Sequence, residues 1–195
     1  MQLGLNGKIA LVTGGSEGIG FATAKELAFE GAKVTICARR EDVLSDAAST
    51  IMSDVGIDIS TICCDITKPS QVDAMFQKIV DTGGLDILVN NAGTSAAGLF
   101  HDTSDETWKY DIELKVFGAI RCSRHAVPIM KKRGGGRIVN ITTPGGKAPG
   151  AASVPTSVSR AAGIALTKEM SKDYASDNIL VNTVCVGLIK SGQHE

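Results

Sequence analysis

Residues Ile9 to Gly20, IALVTGGSEGIG, decide the fold. An apolar run of strand character breaks into a glycine-rich turn, after which Phe21, Ala24, Leu27 and Ala28 fall at helical spacing. A dinucleotide-binding unit begins in this way. Gly14 lets the chain turn off the strand, Gly18 lets backbone come close to a pyrophosphate, and Gly20 lets the helix pack tightly on the sheet. The N-terminus of that helix then offers unpaired N–H groups and a positive dipole to phosphate oxygens.

Working outward, strands and helices alternate. Lys33 to Ala38 (KVTICA) reads as a second strand, Glu41 to about Asp54 as a helix and Asp58 to Cys64 (DISTICC) as a third strand. Pro69 starts a helix carrying Val72, Met75, Phe76 and Ile79 on one stripe, and Gly83-Gly84 closes it before a strand over Asp86 to Asn90. A long helix spans Asp105 to about Lys132, with a kink or an end expected near Pro128, and Arg137 to Thr142 is a fifth strand. Ser153 is a candidate cap for a helix reaching about Ala175, with Pro155 in its first turn, and Ile179 to Val184 is the sixth strand. Continuous apolar strands, each followed by a helix, call for a parallel sheet covered on both faces. The fold expected is doubly wound α/β of the Rossmann type, in a single domain over residues 1–195.

Composition narrows the function. The chain has 195 residues, 43% hydrophobic and 21% charged, with a net charge of −1. There is no basic block through which nucleic acid or an anionic membrane would be held. No leader or membrane-length apolar run is visible, so the cytoplasm is the default address. The five cysteines, Cys37, Cys63, Cys64, Cys122 and Cys185, lack metal-type spacing and read as small buried hydrophobes in a reducing compartment. His101, His125 and His194 lie far apart in sequence, and no metal site is expected.

At Asn90-Asn91-Ala92-Gly93 a second motif appears, and with the first it resembles the short-chain dehydrogenase/reductase family. TGGSEGIG is similar to that family's TGxxxGxG loop, Cys64-Asp65-Ile66-Thr67 to its adenine-side turn, and GRIVNIT and ILVNTVCVG to its next two core strands. The likeness covers nearly the whole chain. It implies a sheet of order 3-2-1-4-5-6-7, a cofactor over the C-terminal strand ends, and hydride exchange between a nicotinamide cofactor and a small carbonyl or alcohol. It also implies that Gly14, Ser16, Glu17, Gly18, Ile19 and Gly20 surround the phosphates, Asp65 and Ile66 lie beside adenine, and Asn91, Ala92 and Gly93 run along the ribose. Asp65 has a secondary reading as a turn-capping carboxylate, and Asn90 and Asn91 read equally as structural turn residues.

The end of the second strand chooses the cofactor. Arg39 offers a fork that matches a 2′-phosphate, where an acid would hold a free ribose hydroxyl, and this favours NADP over NAD. Glu17 opposes that preference, and Glu41 or Asp42 would supply an acid after a small register slip. Arg39 and Arg40 also read as ordinary solvated charges.

The resemblance breaks where catalysis belongs. The family pairs a tyrosine with a lysine four residues on. Here SRAAGIALTK aligns to place Thr156 at the tyrosine and Arg160 at the lysine, with Thr143 at the family serine thirteen residues earlier and Glu113 at its asparagine. Thr143 keeps a donor for a carbonyl and Arg160 keeps a cation. Thr156 cannot replace a phenol, because an aliphatic hydroxyl does not ionise near neutral pH. Loss of a positioned acid costs roughly 10²–10⁴ in rate, about 3–5 kcal/mol of barrier. Glu113 is open to three readings: an ion pair with Arg160, a proton donor joined by Tyr110, or a solvated helix residue. Two functions follow, an NAD(P)-dependent oxidoreductase or a catalytically silent nucleotide-binding module that retains the fold.

Compared with the family, the sequence stops before the usual substrate-covering segment and seventh strand, which leaves the sixth strand as an expected edge. The helices from Asp105 and from Ser153 resemble the pair by which family members form homodimers and homotetramers. Their apolar stripes also suit simple packing on the sheet.

Overall fold

The structure is a computed structural model, and it describes residues 3–189. Six parallel strands form one sheet in the order β3-β2-β1-β4-β5-β6. They are β1 (Ile9–Thr13), β2 (Lys33–Ala38), β3 (Ser60–Cys63), β4 (Ile87–Asn90), β5 (Gly136–Thr142) and β6 (Ile179–Cys185). Helices α1 (Gly18–Phe29), α2 (Glu41–Val55), α3 (Pro69–Asp81), α4 (Asp105–Ile112), α5 (Gly118–Lys132) and α6 (Thr156–Asp173) make the crossovers.

Strand alternation assigns the two faces. Ala10, Val12, Val34, Ile36, Ile87 and Val89 point to the side where Ala24 and Ala28 of α1 and Leu44, Ala47 and Ile51 of α2 close the core. Leu11, Cys37, Leu88, Ile138 and Ile179 point to the other side, onto Val72, Met75, Phe76 and Ile79 of α3, Cys122, Ala126 and Met130 of α5, and Met170 of α6. The chain leaves β1 in one direction for β2 and β3 and later returns beside it as β4. The strand order therefore reverses between β1 and β4, where a doubly wound sheet opens a crevice above its carboxyl ends. No helix among the described residues is long and apolar enough to cross a membrane.

Three local expectations are corrected. The long helix is interrupted not at Pro128 but by a π-turn over Glu113–Phe117 that joins α4 to α5. Pro128 lies on the exposed side of α5, where the carbonyl it deprives of a partner can face water. Ser153 does not cap α6: its hydroxyl donates to the Gly150 carbonyl at 2.7 Å, and the helix starts after Pro155 without a side-chain cap. Strand β3 is also shorter than expected, at Ser60–Cys63.

Candidate functional site

Thr13 ends β1 and fastens it to β4. Its hydroxyl donates to the Val89 carbonyl at 3.3 Å and accepts from the Asn91 and Ala92 N–H groups at 3.0 and 3.1 Å. Asn91 closes the joint, donating from Nδ2 to the Thr13 and Gly14 carbonyls, both at 3.0 Å. Its amide thus has the structural duty that the sequence left open. Asn90 likewise points inward, donating to Ser123 Oγ and Asn140 Oδ1, while Asn140 donates to Thr167 Oγ1. These buried bonds tie β4 and β5 to α5 and α6 beneath the crevice.

The glycine turn sits directly on this joint. Gly14 adopts φ +64°, and a Cβ there would meet Ala92 Cα at 2.8 Å. At Gly20 a Cβ would lie 2.1 Å from the Gly14 carbonyl oxygen, so α1 abuts the turn by backbone alone. The Glu17 side chain does not cap α1, which leaves the first N–H groups of that helix open to an anion.

A cleft of about 490 Å³ runs along the strand ends. Arg39 and Arg40 line one end, the Gly14–Gly20 turn and Asn91, Ala92 and Gly93 its middle, and Thr143, Thr156 and Arg160 the other end. Ser16, Glu17, Gly18, Ile19, Asp65 and Ile66 line it as well. The sequence candidates converge on one groove, apart from Gly20 beneath the turn and Glu113.

Several of these side chains are engaged. Arg39 donates to the Tyr110 hydroxyl at 2.9 Å, and Arg40 is paired with Glu17. The carboxylate that opposes a 2′-phosphate is thereby matched by a neighbouring cation. Tyr110 consequently stands at the arginine end of the cleft and does not join Glu113. Asp65 Oδ1 accepts from the Thr67 N–H at 3.0 Å and hydroxyl at 2.8 Å, so the carboxylate caps its own turn. Burial pushes the Cys64 thiol up to about 11 and the Cys122 thiol up to about 12, and raises Cys37 well above its ordinary value. The buried-cysteine expectation fails at Cys63, which is exposed, and at Cys185, which is half-buried on edge strand β6.

At the other end the expected Glu113–Arg160 pair does not form. Glu113 instead pairs with Arg121 at 2.6 Å, and Arg121 also lies over the Phe117 ring. The reason is helical direction. Glu113 and Lys115 are two residues apart and so point to opposite sides of the helical segment, and it is Lys115 that faces α6. Arg160 Nη1 donates to the Ile141 carbonyl at 2.6 Å. Burial holds its guanidinium below the ordinary range, and the Asp111 carboxylate partly restores it.

The sequence reading missed Asp111 and Lys115. Their side chains are 0% and 1% exposed, they pair with each other, and Lys115 Nζ also donates to Thr156 Oγ1 at 3.0 Å. The available signal was an acid and a base four residues apart on the helical face that also carries Leu114, Ala119 and Cys122. Burial pulls the Lys115 ammonium below its ordinary range, Asp111 opposes this, and Arg160 adds to it. Among the described residues, no group of three or more histidine, cysteine or carboxylate side chains is placed to hold a metal ion. His101 and His125 pair with Asp102 and Asp73, while His194 lies outside the described residues.

Known proteins share this fold. A family model for short chain dehydrogenase matches residues 8–195. An uncharacterized oxidoreductase of Bacillus subtilis is 35% identical over 187 residues, covering 96% of this chain and 70% of the relative. The L-sorbose reductase of Gluconobacter frateurii, solved with NADPH and L-sorbose, superposes with a TM-score of 0.95 at 36% identity, over 98% of this chain and 73% of that one. An NAD+-bound xylitol dehydrogenase superposes at 0.91 and 30% identity, over 96% and 73% of the two chains. With the glycine turn, the sheet order and the crevice agreeing with these likenesses, the chain belongs to the short-chain dehydrogenase/reductase family of oxidoreductases.

Proposed function

We propose that this protein binds NADP(H) and exchanges hydride with a small carbonyl or alcohol held beside Thr143 and Thr156. The observation carrying the proposal is the continuous cleft from Arg39 to Thr156, laid over a glycine turn so close-packed that Gly14 and Gly20 leave no room for a Cβ. A dinucleotide fits the residues present. The uncapped α1 N-terminus suits a pyrophosphate, and Gly93 and Ala92 line the middle of the groove where a ribose would pass. Arg39, oriented by Tyr110, favours a 2′-phosphate. When bound, the nicotinamide supplies or accepts the hydride. The protein's own contribution is to position the carbonyl with the Thr143 hydroxyl, to keep cationic charge near it with Arg160, and to supply a proton to its oxygen.

The relatives support an enzyme over a silent module, since they are named for oxidoreductase activity. The solved ones complexed with NADPH and L-sorbose, or named for xylitol, make ketoses and polyols the first substrates to try. The test is a fluorescence titration with NADPH and NADH, followed by a panel of carbonyls with the tighter-binding cofactor. Saturable binding with NADPH preferred is expected. Absence of binding to either cofactor overturns the proposal, and a preference for NADH overturns the part resting on Arg39.

A further inference from the structure

Thr156 stands where the family carries a phenol, yet its hydroxyl is not in an ordinary setting. Two donors converge on Oγ1: the Lys115 ammonium at 3.0 Å and the Ala96 N–H at 3.2 Å. A threonine hydroxyl has two acceptor lone pairs and one proton. With both lone pairs engaged, what Thr156 retains is the ability to donate, and it lines the cleft. Lys115 lies behind it, on the π-turn that packs against α6, and is fixed by Asp111 one turn earlier. Single-turn π insertions recur at functional sites because they redirect one side chain without breaking the helix.

The geometry points to Lys115 and Thr156 as a proton relay, from Lys115 Nζ through Thr156 Oγ1 to the carbonyl oxygen of the substrate. It rests on the carbonyl-reducing reading of the cleft given above. Thr156 is the catalytic residue, and Lys115 acts through it. During reduction the carbonyl carbon accepts the hydride from the reduced nicotinamide and the π pair moves to oxygen. That oxygen bonds the Thr156 proton while Thr156 Oγ1 bonds a proton from Lys115. The hydroxyl therefore never has to ionise, which removes the objection that threonine is too weak an acid. Lys115 is left as an amine and takes a proton from water before the next turnover. Alcohol oxidation runs the same path backward.

The surroundings suit this exchange. Asp111 from the same helix and Arg160 from α6 are the charged groups acting on Lys115. Thr13, Asn90 and Asn140 from β1, β4 and β5, and Ser159 from α6, are neutral neighbours around a cavity of about 20 Å³ shared with Lys115 and Arg160. That volume and lining suit one water molecule. Arg160 keeps positive charge near the Asp111 carboxylate while Lys115 is an amine.

The first test needs no cofactor. In protein labelled with 13C and 15N at lysine, the Lys115 signal, identified by its loss in Lys115→Met, is followed against pH in wild type and in Thr156→Val. The expected result is a midpoint below those of the surface lysines, displaced by the Thr156 change. A Lys115 signal that titrates with the surface lysines and ignores Thr156→Val overturns the relay. The second test measures carbonyl reduction and cofactor binding in parallel. Thr156→Val and Lys115→Met are each expected to lower kcat by on the order of 100-fold, with cofactor affinity unchanged. Reduction by wild type should fall, and oxidation rise, as pH passes the Lys115 midpoint, and Lys115→Met should lose both dependences. Because Lys115→Met leaves Asp111 buried without its partner, the double variant Asp111→Leu/Lys115→Met serves if the single one does not fold. Turnover by Thr156→Val equal to wild type overturns the relay, as does a wild type that binds cofactor and reduces no carbonyl on the panel. Failure of wild type to bind either cofactor overturns the proposed function instead, and leaves the lysine titration to judge the Lys115–Thr156 coupling.

Discussion

Arg39 and Lys115 show how one residue is defined by what holds it. Arg39 is an exposed cation at a strand end, a description that also fits many solvated arginines; the Tyr110 hydroxyl gives it a fixed direction. Charge-assisted bonds to phosphate contribute about 1.5–3 kcal/mol each, so Arg39→Asp should weaken NADPH binding by roughly tenfold or more while sparing NADH, read by the same titration. Lys115 is the opposite case, a cation with almost no exposure whose partner Asp111 is equally buried. Removing only one of two buried charges is costly. Lys115→Met should therefore lower stability by about 3–5 kcal/mol in denaturant unfolding, and the double variant with Asp111→Leu should recover most of that loss. Thiol chemistry follows the same rule of surroundings. A disulfide reagent at pH 8 should label exposed Cys63 in the native protein and leave Cys64 and Cys122 unreacted, since burial holds their thiols near 11 and 12.

Elements meet through a few backbone approaches and staples. Gly20 is where α1 touches the turn after β1, and the 2.1 Å separation that a Cβ would have from the Gly14 carbonyl involves backbone on both sides. Gly20→Ala should cost about 1–3 kcal/mol and abolish cofactor binding, because the helix must move off the turn proposed to hold the phosphates. Asp86, at the opposite end of the sheet, joins β1 to α5. It accepts from the Ile9 N–H at 2.8 Å and pairs with Arg133 at 2.9 Å. Burial alone would raise its pKa, but the Arg133 bonds and the Ile9 N–H outweigh it and hold the carboxyl below its ordinary value. The sign follows from linkage. A carboxyl depressed in the folded state contributes stability above its unfolded pKa, near 4, and that contribution is lost as pH falls through the folded value. Asp86→Asn should thus flatten the acid limb of the stability profile below about pH 4, measured by thermal melting across pH.

At the scale of the molecule, we propose that α4, α5 and α6 also carry self-association, since Phe117 of the π-turn between α4 and α5 and Val158 of α6 each leave 46% of their surface exposed. Light scattering after size exclusion should give a dimer or tetramer mass, and a monomer mass alone would remove the proposal. Most of the fold was legible beforehand because it depends on local pattern. The boundaries of β2 followed from KVTICA, that of α3 from Pro69 and the stripe Val72, Met75, Phe76, Ile79, and the strand order from a resemblance carried by TGGSEGIG and NNAG. The site was legible only as a set of positions. Spacing aligned Thr156 and Arg160 with the family pattern, but it could not say that Glu113 would turn to Arg121 or that Lys115 would reach Thr156 across 41 residues of chain. The sequence by itself determined the alternation of strand and helix, the glycine turn and the alignment that sets Thr156 against the family's tyrosine. These are properties of single residues and their near neighbours. Only the tertiary structure decided which carboxylate is buried, which cation serves Thr156 and where the long helix breaks. Each of those depends on the direction a side chain takes when two helices pack, and a π-turn changes that direction without leaving a mark in the hydrophobic pattern.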